Sequence, residues 1–193
     1  MDKIKSKPGL LHFFADCPVE VREYFQHIPK LLDLELSVVL AYVFARVELA
    51  HNMALYCGVI KLHQANAEIA YRAVQTYRIT RADFRSKYET VYGKPISKAT
   101  WQLLTQAEGV RDRVMHGKDT NDDQMRNAVA HVLAYAKEMN KGVADCGGPK
   151  PFGKLQGFKG ARQSLEKETT RWMLMGMGFF SSETKVNPAK DSE

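Results

Sequence analysis

Three residues near the middle of the chain combine the ability to transfer protons with the ability to bind phosphate. Arg111, Asp112 and His116 lie within six residues of one another, in the string RDRVMHG that ends at Gly117. Histidine accepts and donates protons near neutral pH, and arginine binds phosphate through several N–H donors. Asp112 precedes His116 by four residues, so on a helix the two share a face and the carboxylate would orient the imidazole.

These groups are sufficient for one reaction, the cleavage of RNA by transesterification. The ribose 2′-hydroxyl attacks the adjacent phosphate, His116 acts as base or acid, and Arg111 stabilises the charge that develops on the phosphorane. The sequence shows no His-Glu-x2-His string, no Cys/His cluster and no dense set of carboxylates, so we expect neither metal ligands nor a cofactor. A Cys–His hydrolase would need a supporting context that the cysteines do not have.

A helix predicted from Ser97 to Gly117 must position the three residues. The Ser97 hydroxyl can accept from an unpaired amide of the first turn, and Gly117 can adopt the left-handed conformation that ends a helix. On a helical wheel Arg111 falls inside the apolar sector, whereas Arg113 points well away from it. A charge on the apolar side needs a partner. Arg111 therefore either pairs with a carboxylate on a neighbouring helix in a purely structural role, or belongs to a functional site.

The string Arg111-Asp112-x3-His116, followed by Gly117 and a further long helix, resembles the signature of the HEPN (higher eukaryotes and prokaryotes nucleotide-binding) superfamily. The resemblance covers roughly residues 31 to 142. It implies a metal-independent endoribonuclease in which two copies of the motif meet across a homodimer to form one site. It also implies a role as a toxin or antiviral-defence effector, with an antitoxin or regulatory protein as a possible partner.

Some proteins of this superfamily are not enzymes, and the resemblance equally allows a nucleotide- or RNA-binding partner protein or a scaffold. In one toxin class the motif continues as His-x-Tyr. Here Gly117 and Lys118 follow His116, so the tyrosine of that class is absent.

The preceding helix offers further candidate site residues. Apolar residues recur at spacings of three and four from Leu36 to Ala54, which predicts a long amphipathic helix over about 30–63. Glu48 and His51 lie on the border of its apolar stripe and are candidates to face Arg111 across the bundle. The alternative is a half-buried ion pair that only fixes the register of the helices.

The region from residue 71 to residue 98 is strongly basic, with seven Lys and Arg residues against two acidic residues, and five aromatic residues are interleaved with them. Cations for phosphates and rings for base stacking are typical of proteins that bind single-stranded RNA. The alternative is that the rings belong to the core and the charges form a solvated face. We expect RNA binding by Arg78, Arg81, Arg85, Lys118 and Lys154.

Composition limits the class of protein. The chain has 193 residues, 45% of them hydrophobic, and a net charge of +6, which favours an anionic partner such as RNA. Its three cysteines are widely spaced, so a disulfide framework is not indicated and a reducing cytoplasm fits best. The most apolar stretch, Leu36 to Ala45, is followed by Arg46 and Glu48. We therefore predict no membrane span and no membrane partner.

The periodicities predict an all-α protein, an antiparallel bundle of four to five main helices with a short N-terminal helix and a C-terminal basic arm plus helix. The predicted organisation is an N-terminal extension over 1–29, a HEPN-like bundle over 30–142, a Gly/Lys-rich arm and C-terminal helix over 143–180, and a disordered tail over 181–193. The arm is expected to be mobile, whereas the apolar string at 173–180 should dock on the bundle or form a dimer contact.

Overall fold

The structure is a computed structural model that describes residues 3–76, 79–155, 158, 160 and 162–179. Within these residues all regular structure is helical and no strand is present, which confirms the all-α prediction. The described helices are α1 (Lys7–Ala15), α2 (Val19–Tyr24), α3 (Ile28–Leu31), α4 (Leu36–His63), α5 (Ala67–Thr76), α6 (Arg81–Tyr92), α7 (Lys98–Met115), α8 (Asp122–Asp145) and α9 (Lys167–Gly176). The predicted disordered tail lies outside the described residues.

The predicted helix starts are found where side chains can accept from unpaired backbone amides. The Ser97 hydroxyl accepts from the Thr100 N–H at 3.0 Å at the start of α7. Capping boxes open α6 at Thr80 and α8 at Asn121, so each of these helices begins with reciprocal side-chain and backbone hydrogen bonds. The elements that carry the Arg-x4-His segment therefore have well-defined ends.

Other boundaries differ from the sequence predictions. The helix predicted over 30–63 is broken, and α3 and α4 are separated by a turn at 32–35 whose Asp33 carboxylate accepts from Lys7 at 2.6 Å. The short N-terminal helix was predicted within residues 16–25, where α2 lies, whereas α1 before it was not predicted, although Ser6 caps it and Pro8 lies in its first turn. The sequence also predicted that the helix now called α8 would end near Gly142 and that the last helix would begin near residue 161. In the structure α8 continues to Asp145 and α9 begins at Lys167.

Helix α4 is the centre of the fold, in contact with α3, α5, α6, α7 and α8. Its buried residues from Val39 to Leu55 lie on one side, as predicted for an amphipathic helix, but the opposite side also carries apolar residues such as Leu49. The core around it is continuous and includes Leu10 and Phe25 near the N-terminus and Leu174 and Phe179 near the C-terminus. The ends of the chain thus share one core with the main helices, and the apolar C-terminal string docks on them.

Helix α4 is long and apolar enough to cross a membrane by length and composition alone. Half of the residues in its most apolar window are buried within the protein. A core helix of a soluble protein can meet the same criteria of length and composition. Arg46 and Glu48 therefore do not by themselves exclude a span, and the cytoplasmic location stays a prediction.

The described part of the predicted mobile arm is anchored to the bundle. Phe152 is fully buried, and its ring contacts the rings of Tyr24, Phe25 and Tyr135. The buried Asn140 side chain binds both the N–H and the C=O of Phe152, each at 2.8 Å. The arm is held here because its backbone groups find partners inside the core.

We expect Asn140→Ala to lower the free energy of unfolding by about 2–4 kcal/mol, because it leaves two buried backbone groups without partners. Urea denaturation followed by circular dichroism measures this change. The control Gln75→Ala replaces an exposed residue of α5 and should change stability by less than about 0.5 kcal/mol. A similar small change for Asn140→Ala would show that the arm is not anchored in this way.

Candidate functional site

The C-terminal end of α7 adopts a Schellman motif that fixes the position of His116. Gly117 has a φ of +65°, the Lys118 N–H donates to the Arg113 carbonyl at 2.8 Å, and the Gly117 N–H donates to the Val114 carbonyl at 3.1 Å. His116 is the last residue before the left-handed turn, and its side chain is exposed. The predicted stop at Gly117 therefore presents the imidazole to solvent.

Arg111 lies on the inward side of α7, where the helical wheel places it. Its side chain is 23% exposed, and its guanidinium carbon is 5.0 Å from the centroid of the Phe44 ring on α4. A guanidinium over an aromatic face is attracted by the ring quadrupole. Phe44 therefore supports a cation at the boundary between the core and solvent.

Asp112 binds Arg111 rather than His116. Its Oδ1 accepts from Arg111 Nε at 2.9 Å and from Nη2 at 2.6 Å. This differs from the expected role of orienting the imidazole, because the guanidinium lying against Phe44 turns its Nε edge towards the neighbouring carboxylate. Among the described residues, Arg111 makes no other hydrogen bond, so three of its five N–H donors stay available.

Within one chain, Arg111 and His116 do not point in the same direction. Five residues along a helix correspond to a rotation of about 140°. Arg111 leans towards α4, whereas His116 is exposed at the helix end. Arg113 has a different role again, since its Nη2 donates to the Asp119 carbonyl at 2.6 Å and braces the turn after α7.

The α4 candidates are not partners of Arg111 in the described structure. Glu48 is exposed, and His51 is buried with its Nε2 2.8 Å from the Tyr135 hydroxyl and its ring stacked on Phe84 at 3.7 Å. Burial, with a further contribution from the Glu108 carboxylate, raises the pKa of Tyr135, so this phenol stays protonated. His51 is therefore a core residue that links α4, α6 and α8.

Comparison with known proteins found no matching family model, no matching curated protein and no matching solved structure.

The aromatic residues of the basic region are mostly core residues. Phe84, Tyr88 and Tyr92 are buried, and their rings pack against one another along α6. Tyr71 is exposed, and Tyr77 lies outside the described residues. The interpretation of these rings as a platform for stacking bases is wrong for the three buried residues, because the period of α6 directs them into the bundle.

The five basic residues expected to bind RNA have different surroundings. Arg85 is exposed and lies 5.9 Å from the Trp101 ring centroid, and Lys118 is exposed in the turn directly after His116. Lys154 pairs with Glu23 at 3.3 Å, which offsets its charge. Arg78 and the side chain of Arg81 lie outside the described residues. Lys118 is thus the basic candidate adjacent to the Arg-x4-His segment.

An exposed apolar surface on α4, the helix that carries Phe44, was not predicted. Four residues of α4 at spacings of three and four face solvent and are called the α4 stripe here: Val38, Ala41, Ala45 and Leu49. Met115 at the end of α7 is 68% exposed. The sequence could have revealed this surface, because α4 carries apolar residues on nearly all sides and a helix with one buried face needs them on one side only.

Gly109 inside α7 and Gly117 just after it should respond in opposite directions to replacement by alanine. Gly117→Ala should destabilise the protein by about 1 kcal/mol, because alanine is strained at a φ of +65° even though no atom lies near its Cβ. Gly109→Ala, in the open helix interior, should stabilise it by about 0.5–1 kcal/mol.

Thermal or urea unfolding of the two variants measures these changes. A neutral Gly117→Ala would mean that the left-handed turn that presents His116 is not held as the structure has it.

Proposed function

We propose that this chain is a metal-independent endoribonuclease of the HEPN superfamily that cleaves RNA by attack of the 2′-hydroxyl. The observation that carries the proposal is that a half-buried arginine, held by Asp112 and Phe44, and an exposed histidine lie at the same helix end. Arg111 keeps three N–H donors for a phosphate, and His116 is accessible to a ribose hydroxyl. These are the two groups that the reaction needs.

The proposed mechanism assigns a role to each residue. His116 removes the proton from the 2′-hydroxyl as the 2′-oxygen attacks phosphorus, and the imidazolium then gives this proton to the 5′-oxygen as the P–O5′ bond breaks. Arg111 stabilises the additional negative charge on the phosphorane through its free N–H donors. Asp112 is a positioning residue for Arg111 because it holds the Nε edge of the guanidinium. Lys118, next to His116, binds a neighbouring phosphate of the RNA.

The proposed site is shared between two copies of the chain. Since Arg111 and His116 diverge by about 140° in one chain, the arginine of one copy acts with the histidine of the other. The α4 stripe, together with Met115 near the end of α7, supplies exposed apolar side chains on which a second copy can pack. We also propose that the main helices form the antiparallel bundle that the sequence predicts.

The biological setting is also proposed from the resemblance. A cytoplasmic toxin or antiviral-defence nuclease would need a trigger or an antitoxin, since uncontrolled RNA cleavage harms the cell. The net charge of +6 is consistent with an anionic substrate.

One observation favours the second candidate function, a non-catalytic scaffold or nucleotide-binding partner. Arg111 is already paired with Asp112, at 2.6 Å, in the structure without a ligand. A half-buried charge that is satisfied within its own chain needs no substrate to explain it. The experiments below separate the two functions.

The decisive experiment is an RNA cleavage assay on mixed RNA in EDTA. Cleavage should persist, because His116 and Arg111 supply the chemistry, and the product should end in a 2′,3′-cyclic phosphate or its opened form. A substrate with a 2′-deoxy sugar at the scissile position should resist cleavage. His116→Ala and Arg111→Ala should each lower the rate at least about 100-fold.

Matched variants serve as controls in the same assay. Arg113→Ala, which removes only a hydrogen bond to a backbone carbonyl, should stay within about threefold of the parent rate. His12→Ala replaces an exposed histidine of α1 and should have no effect. Loss of activity in EDTA that magnesium restores, or an Arg113→Ala protein as inactive as Arg111→Ala, would contradict the mechanism.

Co-expression tests the shared site. Arg111→Ala and His116→Ala proteins should each be inactive alone, whereas a co-expressed mixture should cleave RNA, because mixed dimers retain one intact arginine and one intact histidine in the same site. Leu49→Arg, in the α4 stripe, should abolish both the dimer and this recovery. An inactive mixture that contains verified mixed dimers would place both catalytic groups in one chain.

A further inference from the structure

A cleft with a volume of about 690 Å³ opens directly beside the Arg-x4-His segment. Its walls come from the turn before α4 with the first residues of that helix, from the turn after α7, and from the first turns of α8. The apolar part of its lining, called the floor here, consists of Leu32, Leu34, Leu36, Val114 and Met125, and polar residues form the rest. Its volume falls in the ~300–1,000 Å³ range of small-molecule sites, and of its lining residues the proposed mechanism uses Lys118 alone.

The charges around the cleft favour a neutral ligand over a phosphate. Three basic residues line it, Lys7, Lys118 and Arg126, and three acidic residues offset them, Glu35, Asp119 and Asp122. Lys7 pairs with Asp33, and Arg126 is held by two carboxylates, which leaves Lys118 as the lining cation without an acidic partner in the described residues. An apolar floor with a polar rim and no net charge fits a flat heterocycle with hydrogen-bonding edges.

Glu35 supplies an exposed carboxylate acceptor on the rim. The Ser37 hydroxyl donates to its Oε2 at 3.1 Å, and Oε1 has no partner among the described residues. An ionised carboxylate only accepts hydrogen bonds. It therefore suits a base whose edge carries an exocyclic amino group, such as the N4 of cytosine, and not a uracil edge that carries a carbonyl oxygen at the same place.

We infer that this cleft binds the base of the nucleotide next to the scissile phosphate and selects a base with an exocyclic amino group. The inference rests on the proposed function, since it assigns the base specificity of the same site. Glu35 reads the amino group, the apolar floor holds the ring, and Lys118, between the cleft and His116, contacts the adjoining phosphate.

Nucleotide binding tests the inference without requiring cleavage. Equilibrium dialysis of CMP and UMP against the full-length His116→Ala protein should give at least about tenfold tighter binding of CMP. Glu35→Gln in the same background, whose amide can also donate to the uracil O4, should bring the two affinities within about twofold. Glu89→Gln, an exposed change on α6, should leave the CMP preference intact.

The inference is overturned by equal binding of CMP and UMP, by no detectable binding of CMP, or by a CMP preference that survives Glu35→Gln. Circular dichroism of each variant verifies that the fold is retained. An oligonucleotide with one cytidine among uridines should be bound better than oligouridine, which separates recognition within RNA from capture of a free nucleotide.

The outcome also distinguishes failure of the inference from failure of the proposed function. If CMP is preferred through Glu35 but the parent protein cleaves no RNA, the nucleotide site is supported and the proposed ribonuclease activity is contradicted. If the protein cleaves RNA but binds CMP and UMP equally, only the inference of base selection by the cleft is contradicted.

Discussion

The fold depends on the need to cover one long helix that is apolar on nearly all sides. Helix α4 has 28 residues, and half of the residues in its most apolar window are buried by its neighbours. Each buried large side chain contributes about 1.5–3 kcal/mol, so the helices that wrap α4 are held mainly by this burial. The short N-terminal helices and the docked C-terminal segment complete the cover, which explains why both ends of the chain share its core.

The same constraint accounts for the features of the candidate site. Phe44 faces α7 and offers its ring to Arg111, and the α4 stripe remains exposed on the neighbouring face. An apolar stripe left exposed on a helix is a feature of interaction surfaces. In the proposed dimer both features have a use, because the second copy covers the stripe and brings its histidine towards the arginine.

Sequence patterns predicted local structure better than they predicted which side chains contact one another. The caps at Ser97, Thr80 and Asn121 and the stop at Gly117 follow from side-chain and backbone chemistry within four residues, so they are readable from the string alone. The inward direction of Arg111 follows from helical period. The partner of Asp112 and the burial of Phe152 depend on where distant helices meet, and no local pattern encodes that.

The ion pair between Arg111 and Asp112 also bears on the choice between an enzyme and a scaffold. With Asp112 about half exposed, a pair of this kind contributes about 0–1 kcal/mol, so it is too weak to exclude a phosphate from the guanidinium. It occupies one edge of Arg111 and leaves the Nη1 end available. A purely structural pair would be expected to seal the guanidinium inside the bundle. Arg111 is instead half-buried, with a ring against it and a carboxylate beside it, and it keeps N–H donors for the phosphate of the proposed function.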